Sequence, residues 1–162
     1  MPQSPGLRFA VDEMLGKLAR WLRIMGLDTA HIRPFPDDLL IKTAIDESRI
    51  ILTRDTKIAV IKPPPEVWFI EENLPFHQLA WIIRRAGIDP MEKAFTRCAM
   101  CNDTLVDISK EEARGKVPPF VYATHDQYRL CGRCDKIYWS GSHRARMERL
   151  FREIKKYIDD SA

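Results

Sequence analysis

One short apolar run constrains the fold of this 162-residue chain more than any other feature: Ile50-Ile51-Leu52-Thr53. It is apolar and partly β-branched without alternating polar residues, which is typical of a strand buried on both faces of a parallel sheet. Arg54 and Asp55 follow directly, so the chain reaches the surface at the carboxyl end of this strand. In open α/β sheets, ligands bind at that end. A second apolar segment, Leu7 to Val11, ends in the same way at Asp12.

Segments with strand character alternate with helical periodicity over about the first 90 residues. Apolar residues recur at three- and four-residue spacing over residues 13–25 and 74–86, and Gly26 and Gly87 follow as helix-ending residues. The sequence therefore predicts a three-layer α/β domain with a mostly parallel sheet. Beyond Pro90 the pattern changes to short runs and turns. We therefore predict one domain over residues 1–92 and a second over residues 93–162.

Four cysteines occur as two tight pairs, Cys98-x-x-Cys101 and Cys131-x-x-Cys134. Each pair can hold one side of a tetrahedral ion, and four thiolates complete a closed structural zinc site. Two disulfides are the alternative, but pairs of this kind in a chain that otherwise looks cytosolic favour a metal. We therefore expect a small Cys₄ zinc ribbon that draws much of its folding free energy from Zn²⁺.

Charge and hydropathy restrict the partners only weakly. The net charge is +3, and all of the excess positive charge lies after residue 96. This permits a polyanionic partner without requiring one. The sequence contains no apolar run long enough to span a bilayer, so we expect a soluble, cytoplasmic protein without a membrane partner.

Acidic residues stand at the predicted ends of strands and starts of helices: Asp12, Asp37 with Asp38, and Asp55. Because the carboxyl ends of parallel strands meet at one sheet edge, we expect these carboxylates to lie close together. Such a set suits Mg²⁺ or Mn²⁺, which keep several waters and bind phosphate oxygens, and which activate water for phosphodiester hydrolysis. Each acid is equally suited to capping a helix, and the sequence alone leaves both interpretations open.

Ordered motifs along the chain resemble the PIN-like RNase domains found at the C-terminus of mut-seven-type exonucleases. The similarity starts with the segment VDEMLGKLARWLR, which begins at Val11, and it covers residues from about 8 to 151. The further motifs are, in order, Gly26 and Asp28, Asp37-Asp38, Leu52-Thr53-Arg54-Asp55, Gln78-Leu79, Arg97-Cys98-x-x-Cys101-Asn102, Val117-Pro118-Pro119, Cys131-Gly132-x-Cys134 and Tyr138-Trp139-x-Gly141-Ser142-His143.

The resemblance implies a PIN-like (Rossmann-like) nuclease domain followed by a zinc ribbon, with metal-dependent cleavage of RNA as the activity. It implies that Asp12, Asp37 and Asp55 bind a catalytic metal, with Asp38 as an alternate or helper. One position departs from the family pattern. Many PIN nucleases carry a further acid shortly after the third aspartate, where this chain has Thr56-Lys57.

Basic and aromatic residues are candidates for contact with RNA. The helix after Asp12 and a C-terminal helix predicted from Ser142 to Ile158 both carry basic faces, which could bind phosphates or could be ordinary solvated faces. The aromatic residues could stack on bases or form the small core of the ribbon. The candidates are Lys17, Arg20, Arg23, Arg54, Tyr138, Trp139, His143 and Arg144.

We therefore expect a divalent-metal-dependent ribonuclease whose ribbon and basic helix position the RNA, with structural Zn²⁺ and catalytic Mg²⁺ or Mn²⁺. The alternative is a non-catalytic RNA-binding or adaptor module in which the acidic residues are structural. A homodimer could also form through apolar residues of the predicted helix over residues 74–86, if they are exposed.

Overall fold

The computed structural model describes residues 6–162 of the chain. Strands and α-helices alternate in its first half, and shorter elements follow. The strands are β1 (Arg8–Val11), β2 (Asp28–Ala30), β3 (Ile50–Thr53), β4 (Val67–Phe69), β5 (Val106–Ile108), β6 (Tyr128–Cys131) and β7 (Lys136–Tyr138). The α-helices are α1 (Gly16–Ile24), α2 (Asp37–Asp46), α3 (Thr56–Ala59), α4 (Pro75–Ala86), α5 (Lys110–Ala113), α6 (Pro119–Thr124) and α7 (Ser142–Asp160), and a short 3-10 turn covers Glu13–Leu15.

The first four strands form one parallel sheet in the order β2-β1-β3-β4. The chain passes from β1 through α1 to β2, and then through α2 to β3 on the other side of β1. The direction of winding therefore reverses between β1 and β3. Such a reversal places the two crossover helices on opposite faces of the sheet and opens a crevice at the carboxyl ends of the two strands.

The parallel sheet lies between two layers of helices. Phe9 and Val11 of β1 point into a core shared with α1, α4 and α7, whereas Ala10 between them packs against α2 and α3. In β3, Leu52 belongs to the first of these cores, and Ile51 belongs to the second, with α2 and α3. Both faces of these strands are buried, as the unbroken apolar run of β3 predicts. The predicted three-layer α/β fold with a mostly parallel sheet is confirmed.

The last three strands form a small antiparallel sheet in the order β5-β6-β7. This sheet has its own apolar cluster, in which Val121 of α6 and Tyr128 of β6 are buried. Cys131 ends β6 and Cys134 lies in the turn to β7, while the first cysteine pair lies inside a turn closed by a bridge between Arg97 and Thr104. The predicted ribbon is confirmed.

Helix α7 follows the ribbon in the chain but packs on the parallel-sheet domain. Its buried residues Met147, Phe151 and Ile154 belong to the same core as α1 and α4. The division into residues 1–92 and 93–162 stays a prediction, and this core extends across it. Although α7 has 19 residues, no helix within residues 6–162 is both long and apolar enough to cross a membrane.

Helix α4 turns its apolar residues toward the same core. Leu79, Ile82 and Ile83 are buried, and α4 lies against both α1 and α7. These buried residues face the core of the chain itself, and a homodimer stays a prediction. The exposed apolar residue beside this helix is Leu74, which precedes it.

Candidate functional site

The sulfur atoms of the four cysteines lie within 4.8 Å of one another. Cys98 Sγ is 3.9 Å from Cys134 Sγ, and Cys101 Sγ is 3.4 Å from Cys131 Sγ. A disulfide would bring two sulfurs to about 2 Å, whereas sulfurs around a tetrahedral zinc lie about 3.8 Å apart for Zn–S bonds of about 2.3 Å. The four cysteines are therefore positioned to form a zinc-binding group, as predicted, and all four are free, so the disulfide alternative is wrong.

The thiols of this cluster differ in proton affinity. Burial would raise the pKa of Cys98, but hydrogen bonds from Tyr138 Oη and from two backbone amides outweigh this effect and lower the pKa to about 6. Burial raises the pKa of Cys101 to about 12. Without a cation, the cluster therefore favours a thiolate at Cys98 and a protonated thiol at Cys101. A zinc ion would stabilise thiolates at all four positions and release those protons.

Arg23 of α1 connects the first cysteine pair to the parallel-sheet domain. Its Nη1 donates to the carbonyl oxygen of Met100 at 2.9 Å and that of Ala99 at 3.4 Å. Its Nε and Nη2 donate to the carbonyl oxygens of Thr29 and His31. The side chain is buried, and each of its three guanidinium nitrogens donates to at least one of these acceptors.

This arrangement corrects one prediction. The basic face predicted on the helix after Asp12 includes Arg23. In the structure, Arg23 faces the protein interior and holds in place the turn that contains Cys98 and Cys101, called the cysteine turn below. Lys17 and Arg20 are exposed, as predicted. The burial of Arg23 arises from contact with residues more than 70 positions later, which helical periodicity does not reveal.

Asp12 and Asp55 follow the adjacent strands β1 and β3 at the point where the winding reverses. Asp12 is only 5% exposed. Its Oδ1 accepts a hydrogen bond from the backbone nitrogen of Glu13 at 2.8 Å, and its Oδ2 accepts one from Thr53 Oγ1 at 2.7 Å. The same hydroxyl accepts a hydrogen bond from the backbone nitrogen of Asp55 at 2.9 Å. One buried hydroxyl thus joins the two acidic positions.

Asp55 and Arg54 have structural contacts of their own. Asp55 Oδ1 accepts a hydrogen bond from the backbone nitrogen of Lys57 at 2.8 Å and so caps α3. Arg54 donates to the carbonyl oxygen of Glu72 and to Asn73 Oδ1. Arg54, predicted to contact RNA, therefore ties the end of β3 to the loop after β4.

Asp37 and Asp38 occupy the first turn of α2 and are exposed. The N-cap of α2 is Pro36, one residue before the Asp37 cap that the sequence suggests. Among residues 6–162, the cysteines are the only group of three or more potential ligands close enough to share an ion. The structure thus joins Asp12 to Asp55 through Thr53 but does not gather Asp37 and Asp38 into one tight cluster with them.

Five of the predicted RNA-contact residues line one groove, with a volume of about 710 Å³, between α1, the ribbon and the start of α7. They are Arg20, Tyr138, Trp139, His143 and Arg144. Two of these side chains also have partners in the fold, since Tyr138 Oη lies 3.1 Å from Cys98 Sγ and Arg144 Nε lies 3.0 Å from Glu148 Oε1.

The sequence patterns do not single out Thr53, nor Lys136, which also lines the groove. For Thr53, the available signal was a hydroxyl at the end of a buried strand, directly before the polar pair Arg54-Asp55. For Lys136, the sequence contained no comparable signal, because the groove forms only when α1 and the ribbon meet.

A family model described as the Mut7-C RNAse domain matches residues 7–151, which is most of the chain. No curated protein and no solved structure matches the chain. The matched segment contains β1 and β3 with their acidic ends, the four cysteines and all the residues that line the groove, and it coincides with the region that carries the motif resemblance. The chain therefore belongs to the Mut7-C RNase domain family, which gives it a ribonuclease-type function.

Proposed function

We propose that this chain hydrolyses RNA phosphodiester bonds with a divalent cation, Mg²⁺ or Mn²⁺, held at the carboxyl ends of β1 and β3. The observation that carries the proposal is the pairing of Asp12 and Asp55 through Thr53 at the point where the winding of the sheet reverses. That point is where open α/β sheets bind their ligands. Membership of an RNase domain family is consistent with this chemistry.

The residues at this edge have distinct roles in the proposal. Both oxygens of Asp12 have hydrogen-bond donors, so this buried carboxylate is held in one orientation before any ion binds. Asp55 is half-buried and supplies the second carboxylate. Asp37 and Asp38 are farther out on α2 and would act through water, because Mg²⁺ keeps several of its own waters. The bound cation would supply an activated water and neutralise the phosphate.

Glu71 and Glu72 are candidates for the acid that is missing at Thr56-Lys57. Both are exposed and follow β4, which lies beside β3 in the sheet. Because all four strands are parallel, residues after β4 lie at the same edge as Asp55. The Arg54 contact to the Glu72 carbonyl oxygen holds this loop beside the end of β3.

We further propose that the cysteine cluster binds zinc for structure alone and that the ribbon positions RNA. Four protein sulfurs leave no open position on a tetrahedral ion, so this zinc would take no part in hydrolysis. Arg23 connects the cluster to α1, which begins just after Asp12. Through this connection, a zinc-stabilised ribbon would stand in a fixed position relative to the acidic edge.

A second function is favoured by the hydrogen bonds of the acidic residues. Asp12 caps the 3-10 turn and Asp55 caps α3, so both have a role in the fold without any cation. In that case the chain would bind RNA as an adaptor and would not cleave it.

The test is cleavage of labelled structured and single-stranded RNA by zinc-loaded protein, with and without added Mn²⁺ or Mg²⁺. Asp12→Asn and Asp55→Asn are suitable variants because asparagine caps helices about as well as aspartate but lacks the charge that binds the cation. Asp46→Asn, at the far end of α2, is the matched control. We expect metal-dependent cleavage that both site variants lose and the control keeps. Tight RNA binding without cleavage by the wild-type protein would instead support the adaptor.

A further inference from the structure

The groove between α1, the ribbon and α7 has the size and the lining of a binding site. Its volume of about 710 Å³ lies within the range of about 300–1,000 Å³ that is usual for ligand sites. Helix α1 contributes Arg20, β7 contributes Lys136 and Tyr138, the segment between β7 and α7 contributes Trp139, and the first turn of α7 contributes His143. Helix α1, the ribbon and the start of α7 thus form its walls.

Positive charge is concentrated at the His143 end of this groove. Burial lowers the pKa of His143, and the nearby charges of Arg20, Arg146 and Lys136 lower it further. These three cations therefore lie close enough to His143 to oppose a positive charge on its ring. An anionic ligand placed among them would relieve this repulsion.

The acidic residues in the groove are matched by cations of their own. Asp107 lies 3.1 Å from Arg129 Nε, and Asp126 lies 3.1 Å from Lys110 Nζ. These two acids therefore do not neutralise Arg20 and Lys136, and the charges of Arg20 and Lys136 are available to bind an anionic ligand. Both side chains are exposed, so they can move toward a phosphate without disturbing the core.

Aromatic rings line the groove beside these charges. Tyr138 and Trp139 are half-buried, and Lys136 Nζ lies 5.2 Å from the centre of the Tyr138 ring. Gly141 allows the chain to pass close to the indole, because a Cβ there would lie 2.9 Å from Trp139 Nε1. Base stacking on such rings tolerates any sequence, since every base presents a flat face.

The positive surface continues along α1 toward the acidic edge. Lys17 and Arg20 are both exposed and, three residues apart, lie on the same side of the helix. Lys17 is in the first turn of α1, which follows the 3-10 turn capped by Asp12. The groove and the acidic edge are therefore at two ends of one basic path.

We propose that this groove binds a single-stranded segment of RNA, with Arg20 and Lys136 on phosphates and Trp139 and Tyr138 against bases. The strand would continue past Lys17 toward Asp12. This inference rests on the proposed function, since it names the form of RNA that reaches the acidic edge. Paired bases are stacked on one another within a duplex, whereas an unpaired base can lie on an aromatic ring.

The test is fluorescence anisotropy with a labelled single-stranded RNA and the same sequence as a duplex. The zinc-loaded 162-residue chain is used, without added Mg²⁺ or Mn²⁺. The variants are Arg20→Ala, Lys136→Ala and their combination. The matched control is Lys156→Ala, which removes the same charge from an exposed residue in the distal half of α7.

We expect the single strand to bind more tightly than the duplex. Affinity should fall about tenfold in each single variant and not in the control. The slope of log affinity against log salt concentration should decrease by about 0.7 for each phosphate that a variant no longer neutralises. Wild-type affinity in the double variant, or preferential binding of the duplex, would overturn the inference. Thermal unfolding of each variant verifies that these surface changes leave the fold intact.

Parallel cleavage assays with Mn²⁺ separate this inference from the proposed function. If the wild-type protein cleaves RNA and the double variant binds and cleaves it equally well, the groove assignment fails and the nuclease stands. If the variants lose binding but the wild-type protein cleaves nothing, the groove stands and the nuclease fails. If the groove assignment and the proposed nuclease activity are both correct, the double variant has a raised KM and a kcat close to that of the wild type.

Discussion

Thr53 Oγ1 donates a hydrogen bond to Asp12 Oδ2 across the boundary between β3 and β1, over 2.7 Å. Thr53 is buried, and its hydroxyl also accepts a hydrogen bond from the Asp55 backbone nitrogen. A single hydroxyl therefore sets the orientation of the Asp12 carboxylate and the direction in which the chain leaves β3. In a site that must hold a cation, such support fixes the ligands before the ion arrives.

Replacement of this hydroxyl should weaken the proposed cation site at Asp12 and Asp55. Thr53→Val keeps the shape of the side chain but leaves a buried carboxylate oxygen and a backbone nitrogen without their partner, which costs about 1–3 kcal/mol of folding free energy. We expect a higher Mn²⁺ concentration for half-maximal cleavage as well as a lower melting temperature. Thr53→Ser keeps the hydroxyl, so its Mn²⁺ requirement and its melting temperature should be close to those of the wild type. An unchanged Mn²⁺ requirement in a destabilised Thr53→Val protein would show that Thr53 acts only on stability.

The sheet and its acidic ends follow from local sequence patterns, but the positions of Arg23 and Lys136 do not. An unbroken apolar run predicts the buried strand β3 wherever the rest of the chain lies. Whether a basic residue on a helix is exposed depends on what packs against that helix. Arg23 and Arg20 are three residues apart on α1, yet only Arg23 is covered by the cysteine turn. The Cys98-x-x-Cys101 spacing predicts a metal-binding role for this turn, but not its contact with α1.

Loss of Arg23 should destabilise the zinc centre as well as the fold. Arg23→Met keeps the aliphatic stem but leaves the carbonyl oxygens of Ala99 and Met100 without their donor. We expect a loss of more than about 2 kcal/mol in chemical unfolding and faster zinc release to a chromogenic chelator. Arg20→Met is the control, since this exposed residue should change stability by less than about 0.5 kcal/mol. Equal zinc release by both variants would contradict the coupling.

Zinc binding should strengthen as the pH rises. Burial keeps the pKa of Cys101 near 12, and binding of zinc must displace such protons. We expect one zinc per chain, and the apparent affinity in a competition assay should increase between pH 6 and pH 8. Cys98→Ser should abolish this zinc and lower the melting temperature, whereas Ser109→Ala, a capping residue in the ribbon, should leave the metal in place. An affinity independent of pH would argue against binding by thiolates.

Asp28 should make the fold sensitive to acid. Burial would raise the pKa of Asp28, but hydrogen bonds from Arg49, Asn102 and Arg8 outweigh it and lower the pKa to about 2. Because the pKa in the unfolded chain is about 3.9, the ionised group contributes about 2 kcal/mol above that pH, and this contribution is lost as the pH falls toward 2. Asp28→Asn should unfold more easily at pH 7 and depend less on pH between 5 and 2. Asp46→Asn should retain the pH dependence of stability of the wild type. If Asp46→Asn reduced this dependence as much as Asp28→Asn does, Asp28 would not be the source of the acid sensitivity.

The C-terminal helix should be required for the stability of the parallel-sheet domain. Phe151 is fully buried in the core formed with α1 and α4. Phe151→Ala should therefore cost about 3–5 kcal/mol. The neighbouring exposed residue supplies the control, Arg152→Ala, which should change the free energy of unfolding by less than about 0.5 kcal/mol. In Phe151→Ala, amide hydrogen exchange should become faster in β1 and α4 as well as in α7. Faster exchange confined to α7 would show that this helix frays without supporting the sheet.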